Sequence, residues 1–296
     1  MNKKRAQEYR KLRAEELRRL AQILHDEGIV RDVGPLQSAA NMCAVSCLRN
    51  KLEYWEYDLI DLRFYDTDAD SLRHVRPDSV VELWLELSVT LSGLCLEDSS
   101  LEDPFSRLNV DILTKGKNRS GKESICSWHL DKHIRGEGDN PSALAHPEYH
   151  FQHGGKKIRD LSDYGLNLLL ETPRLAHPPM DGILAIDFIL SNYVGEKWKI
   201  LHSENSTYKD LIKSAQDRCW APYALSSATI SKLITEHSPW SAKSIWPQLI
   251  LTPPSKVGLQ QQTLEKLVQA RDLYRKVGTN HEHLQGFESL IEQLSR

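Results

Sequence analysis

No pair of cysteines stands in a CxxC spacing, and the five present (Cys43, Cys47, Cys95, Cys126 and Cys219) are odd in number and scattered. That pattern argues against a disulfide framework and against a thiolate zinc site, and it fits a reducing compartment. No apolar run approaches the ~18 residues needed to span a bilayer. The opening stretch MNKKRAQEYRKLRAEELRRL has no apolar h-region, so no secretory signal is expected. GxGxxG after a strand, GxxxxGK[ST], GxSxG and HExxH are missing as well, which removes the usual support for nucleotide-driven chemistry, serine hydrolysis and zincin-type proteolysis. Internal repeats and low-complexity segments are lacking too. The expectation is a soluble, cytoplasmic protein with no membrane partner.

What is present is ordinary in amount and uneven in distribution. The chain has 296 residues, 40% apolar and 27% charged, enough to bury a substantial core. Its formal net charge is −3, yet residues 1–22 hold eight Lys or Arg against three Glu. That segment is either a solvated helix face or a basic arm for an acidic partner or nucleic acid. No aromatic stacking platform accompanies it.

Apolar spacing divides the chain into three parts: N-terminal helices over 1–52, a central α+β domain over 53–252, and a C-terminal helical hairpin over 253–296. Ala14, Leu17, Ala21 and Leu24 recur at helical spacing, predicting a helix over 3–26 that stops near Gly28. A second helix is expected over 35–51, with Pro35 in its first turn and Cys43 and Cys47 one turn apart in the core. From residue 53 the period falls to two. In YWEYDLIDLRFY, Tyr57, Leu59 and Asp61 alternate with Asp58, Ile60 and Leu62. In VVELWLELSVTLSGL, Leu83, Leu85, Leu87, Val89 and Leu91 share one face. RLNVDIL and ESICSWHLDKHI continue the pattern across the turn-rich TKGKNRSG, and YHFQH and YGLNLLLE complete five or six mostly antiparallel strands. After Thr172 the strands are expected to stop. Helices are predicted over 180–193, 207–219 and 226–236, and the terminal hairpin breaks at Gly278-Thr279-Asn280. The fold class is α+β: N-terminal helices, a central mostly antiparallel sheet of five or six strands, and a helical C-terminal part.

The chemistry gathers in one region. Six of twelve histidines (His129, His133, His146, His150, His153 and His177) fall within 129–177. In CSWHLDKHI, parity sends Ser127, His129, Asp131 and His133 to one face, and Cys126, Trp128, Leu130 and Ile134 to the other. His129 and His133 would be ~13 Å apart, too far to share an ion. Asp131 lies ~6–7 Å from either and can converge with one of them. If the next strand pairs, His150 comes within reach of His129 or Asp131, while His153 points oppositely. His146, in the loop before Pro147, can close over the site. Three readings stand together. The row is a solvated face; or His129, Asp131 and His150 hold a divalent metal such as Zn, Mn or Fe; or the histidines at 129, 133, 146, 150 and 153 work with Asp131 as acid and base without metal. Lys115, Lys117 and Arg119 on one side, with Lys156 and Lys157 on the other, would suit an anionic substrate such as a phosphodiester. Asp187 stands alone in ILAIDFIL, where a carboxylate needs a partner. A histidine of the cluster would make it an orienting residue beside His177; Arg174 or a plain surface position would explain it equally.

SWHLDKH, HPEYHFQHGG and ETPRLAHPPMDGILAIDFIL together resemble a group of uncharacterised prokaryotic domains from toxin and phage-defence settings. Those domains carry an aspartate-bearing strand, a His-Pro with a spaced His pair, and a Pro-Arg connection to an apolar helix. The resemblance covers about residues 124–193 and implies an antiviral-defence or toxin-like role, with Asp131, His146, His150 and His153 at the matching positions. Where those domains often have Arg before the aspartate, this chain has His129. WHLD also resembles the His-x-Asp of iron and 2-oxoglutarate oxygenases, for which His177 would be the distal histidine. The expected function is a His/Asp-dependent nuclease or other nucleic-acid-acting protein of a defence or toxin-type system, working with or without a metal. The alternatives are a non-catalytic subunit, docking protein partners through its basic first helix or C-terminal hairpin, and an oxygenase.

Overall fold

The computed structural model describes residues 2–45, 53–65, 80–96, 102–118, 121, 123–133, 147–154 and 175–230. All of them belong to one unit, Met1–Leu249. The expected C-terminal hairpin over 253–296 and the strand over 164–171 lie outside the described residues.

Two helices open the chain. α1 (Lys3–Asp26) starts at Asn2, whose side chain accepts from the Arg5 N–H at 3.0 Å. It ends where the sequence predicts. The Gly28 N–H returns to His25 O and the Ile29 N–H to Leu24 O, with Gly28 at φ 61°. This pair of bonds closes a helix through a left-handed residue, which only glycine adopts without steric cost. α2 (Gly34–Ala44) is shorter than the 35–51 expected; Val45 is already extended, and 46–52 lie outside the described residues.

Six strands follow among the described residues: β1 (Tyr54–Phe64), β2 (Val80–Leu94), β3 (Arg107–Asn118), β4 (Glu123–Lys132), β5 (Tyr149–His153) and β6 (Leu175–Ala176). They pair antiparallel in sequence order. β3 runs to Asn118, so most of the expected hairpin loop TKGKNRSG is strand. β6 lies beyond Thr172, where no strand was expected. β1 departs from strict alternation. A bulge between Leu59 and Leu62, with Asp61 at φ 54°, adds one residue, so Leu59 and Leu62 share a face although three positions apart. Trp55, Tyr57, Leu59, Leu62 and Phe64 all bury on that face beside Leu85, Leu87, Val89 and Leu91 of β2 and Val110, Ile112 and Leu130 of β3 and β4.

Three more helices close the described chain: α3 (Gly182–Tyr193), α4 (Gly195–Glu204) and α5 (Ser206–Ile230). α4 had no counterpart in the sequence reading. α5 continues through Pro222, merging the first of the two helices expected there with the start of the second. α3 is apolar almost all round and buries nearly every residue, as predicted. The helices pack on the apolar sheet face: the Tyr57 hydroxyl accepts from the Gly182 N–H, Phe188 meets Phe151, Tyr223 meets Tyr149, and Tyr9 meets Trp55.

The basic N-terminal segment is part of this packing. Arg10 and Arg13 are buried. Arg10 donates to Tyr54 O, and Arg13 pairs with Glu16 at 3.2 Å. Glu16 also meets Arg218 of α5, which pairs with Asp181, the N-cap of α3. Two of the charges that suggested a free basic arm therefore sit inside the fold. Among the described residues, no helix is long and apolar enough to cross a membrane.

Candidate metal centre

The opposite face of β3, β4 and β5 carries the polar residues. Register arranges them in rows across the sheet. Thr90, Asn109, Asp131, His150 and Ala176 are successive cross-strand partners, and so are Ser88, Asp111, His129 and Gln152 in the next row. The two rows place His129 and Asp131 side by side on β4 with His150 directly across from Asp131. The period-2 pattern of CSWHLDK and YHFQH made this face; the β4–β5 register made the cluster.

One ligand atom each from His129, Asp131 and His150 lies within 4.8 Å of the other two. The His129 Nε2 to Asp131 Oδ2 distance is 3.5 Å, near the ~3.3 Å separating two ligands on a tetrahedral ion with bonds of about 2.0–2.1 Å. The rings of His129 and His150 are nearly perpendicular, their centroids 6.3 Å apart. His150 is buried and His129 and Asp131 are partly so. Asp131 Oδ1 accepts from Asn109 Nδ2 at 2.5 Å, which leaves Oδ2 turned toward His129. Two imidazoles and one carboxylate with a hydrogen-bonded second oxygen are a donor set that fits Zn, Mn or Fe. Closing the 4.8 Å spread onto an ion requires movement of about 1 Å or more. Asn109 and Asp111 were not singled out from the sequence, although RLNVDIL alternates them against Leu108, Val110 and Ile112 as regularly as the neighbouring strand does.

The other candidates separate from this group. His133 follows β4, its N–H donating to Glu148 O, and it is not one of the three clustered donors. His153 is on the helix-facing side, edge-on to Trp128 and with Nε2 3.4 Å from Cys126 Sγ. His177 packs on Phe151 and Phe188 on that same side, its Nδ1 2.7 Å from Pro178 O. Burial holds its pKa below the usual imidazole value, and the Pro178 carbonyl opposes that only in part. His177 is therefore neither a neighbour of the cluster nor the distal histidine that an oxygenase site needs. Asp187 is buried, and its Oδ1 accepts from Trp198 Nε1 (2.8 Å), His202 Nε2 (2.9 Å) and the Tyr208 hydroxyl (2.7 Å). The carboxylate thus joins α3, α4 and α5 and orients none of the cluster. The apolar spacing of ILAIDFIL showed that a partner was needed; its identity came from α4, a helix the sequence reading had not found.

The lysines are engaged elsewhere. Lys115 Nζ lies 2.5 Å from Glu86 Oε2, and Lys117 Nζ sits over the Trp84 ring at 5.8 Å. Glu86 also pairs with Arg63 at 3.1 Å and accepts from Trp84 Nε1 at 2.9 Å. Burial alone would raise the Glu86 pKa, but hydrogen bonds from Lys115 and Trp84 and the two cations outweigh it and hold the carboxyl below its ordinary range. His146, Arg119, Lys156 and Lys157 lie outside the described residues.

No protein-family model matches this chain, and no curated protein or solved structure matches it.

Proposed function

We propose that the protein is a metal-dependent hydrolase acting on a phosphodiester of nucleic acid, with His129, Asp131 and His150 as the ligands of one divalent ion. The observation that carries this reading is the convergence of three ligand atoms of the right chemistry within 4.8 Å of one another. A divalent ion in such a site supplies a Lewis acid for a phosphoryl oxygen and lowers the pKa of a bound water. The chain's own contribution is geometric. His129 and His150 present imidazole nitrogens from adjacent strands. Asp131 presents one oxygen while Asn109 restrains the other. Three protein ligands leave coordination positions for water and substrate, as catalytic sites require.

The substrate class rests on the affinity of divalent cations for phosphoryl oxygens and on the resemblance to toxin and phage-defence domains. Lys115 and Lys117 do not support it, being held by Glu86 and Trp84. Elemental analysis of the purified wild type beside Asp131→Asn and His150→Ala tests the reading. The expected result is stoichiometric Zn, Mn or Fe in the wild type and loss of most of it in both variants, with unchanged circular dichroism. Absence of metal from all three, after dialysis against each ion, overturns it. Bound iron with consumption of 2-oxoglutarate would overturn the hydrolytic assignment and keep the centre.

A further inference from the structure

We propose that a cavity between α1, α5 and the segment entering β3 binds a free amino acid with a large apolar side chain, its carboxylate directed toward Arg13 and Arg218. The inference goes beyond the metal-centre reading and does not depend on it. The cavity has a volume of about 400 Å³, within the ~300–1,000 Å³ of small-molecule sites. Arg13 of α1 and Arg218 of α5 line it, with side chains only 6% and 8% exposed. The carboxylates that pair with them, Glu16 and Asp181, also serve other donors. Ser214 Oγ donates to Glu16 Oε1, and the Ile183 and Leu184 N–H groups donate to Asp181 Oδ1. Arg13 Nε and Arg218 Nε are left without a hydrogen-bond acceptor. Guanidinium donors thus exceed the acceptors around them, in two side chains that border an open cavity. An added carboxylate is the group that planar guanidinium forks bind best.

The rest of the lining says what carries that carboxylate. Glu102 and Asp210 border the cavity and are exposed, so they stand at its solvent end. Lys213 is there too, but it is paired with Asp217 one turn along α5. Two carboxylates at the entrance repel a phosphate or a dicarboxylate and attract an ammonium. Tyr9, Leu96 and Pro104 supply apolar wall, with Tyr9 and Pro104 buried. Cations within, anions at the entrance and an apolar wall between them are the complement of an amino acid zwitterion. Its carboxylate lies inward, its ammonium outward, and its side chain along the wall.

Calorimetric titration of the full chain, without added metal, tests this. The probes are L-phenylalanine, 3-phenylpropanoate, which lacks the ammonium, L-phenylalaninamide, which lacks the carboxylate, and inorganic phosphate. L-phenylalanine is expected to bind at one site per chain, about ten-fold or more tighter than either truncated analogue, since each loses a charge-assisted contact. Working with analogues leaves Arg13 and Arg218 in place, so the packing they support is undisturbed. In the double variant Glu102→Gln/Asp210→Asn, both changes being at exposed positions, the preference for L-phenylalanine over 3-phenylpropanoate is expected to vanish. The preference over L-phenylalaninamide is expected to remain, because the arginines still take the carboxylate. Overturning results are no binding of L-phenylalanine at millimolar concentration, either analogue binding as tightly as the amino acid, phosphate binding more tightly than all three, or a preference over 3-phenylpropanoate that survives the double substitution.

Discussion

At the scale of single residues, two carboxylates that look alike in the sequence have opposite roles. Asp131 has one oxygen restrained by Asn109 and the other near an imidazole, and it is partly exposed. Asp187 is buried, and three donors converge on one of its oxygens. Removing Asp187 would strand the Trp198, His202 and Tyr208 donors, each costing ~1–3 kcal/mol where desolvated. Asp187→Ala should therefore lose about 3 kcal/mol or more in urea unfolding, and Asp187→Asn clearly less, since it keeps an acceptor. Zinc affinity measured on the folded Asp187→Asn protein should equal that of the wild type. A ten-fold loss of affinity there would restore Asp187 to the metal centre. His129, Asp131 and His150 were legible as candidates because parity is a local property. Asn109 differs, since its significance depends on Asp131 standing across the strand pair.

Among elements, the sheet is held at one end by a charge cluster joining three strands. Arg63 of β1, Glu86 of β2 and Lys115 of β3 meet on the polar face, with the Trp84 indole as a further donor. Because the Glu86 pKa is lowered in the folded state from its ordinary 4.5, the unfolded chain takes up the proton first on acidification. The stabilisation is therefore present above pH 4.5 and is lost as pH falls through the lower folded value. Urea unfolding from pH 7 to pH 3 should show Glu86→Gln less stable than the wild type at neutral pH, with the difference shrinking below pH 4.5. A constant difference across that range would show that Glu86 does not titrate against its partners. The same cluster explains why Lys115, which looked like a substrate contact in a hairpin, is held within the sheet: β3 extends to Asn118 and brings Lys115 opposite Trp84, two residues along from Glu86.

For the molecule as a whole, α1 is part of the core. Its Leu17, Leu20 and Leu24 are fully buried, and its Glu16 bridges Arg13 and Arg218. Burying each such leucine contributes ~1.5–3 kcal/mol. Deleting residues 1–25 removes all of this together, a loss comparable to the ~5–15 kcal/mol that stabilises a typical domain. The truncated chain should lack the near-ultraviolet circular dichroism of packed Trp55 and melt without a cooperative transition. A cooperatively folded truncated chain would return α1 to the role of a detachable docking arm.

The sequence by itself determined the α+β class, the start and stop of α1, the antiparallel order of the strands and the two faces of β4. Each of these follows from spacing within a short stretch, where a period of 3.6 or 2 and a glycine able to take positive φ are sufficient. Only the tertiary structure decided that Asp131 lies opposite His150, that His153 and His177 face the helices, that Asp187 is held by α4 and α5, and that β1 carries a bulge. The physical reason is that register is a property of pairs of segments. Sliding one strand by a single residue preserves every local pattern and turns its side chains to the other face, so no single stretch encodes which imidazole meets which carboxylate.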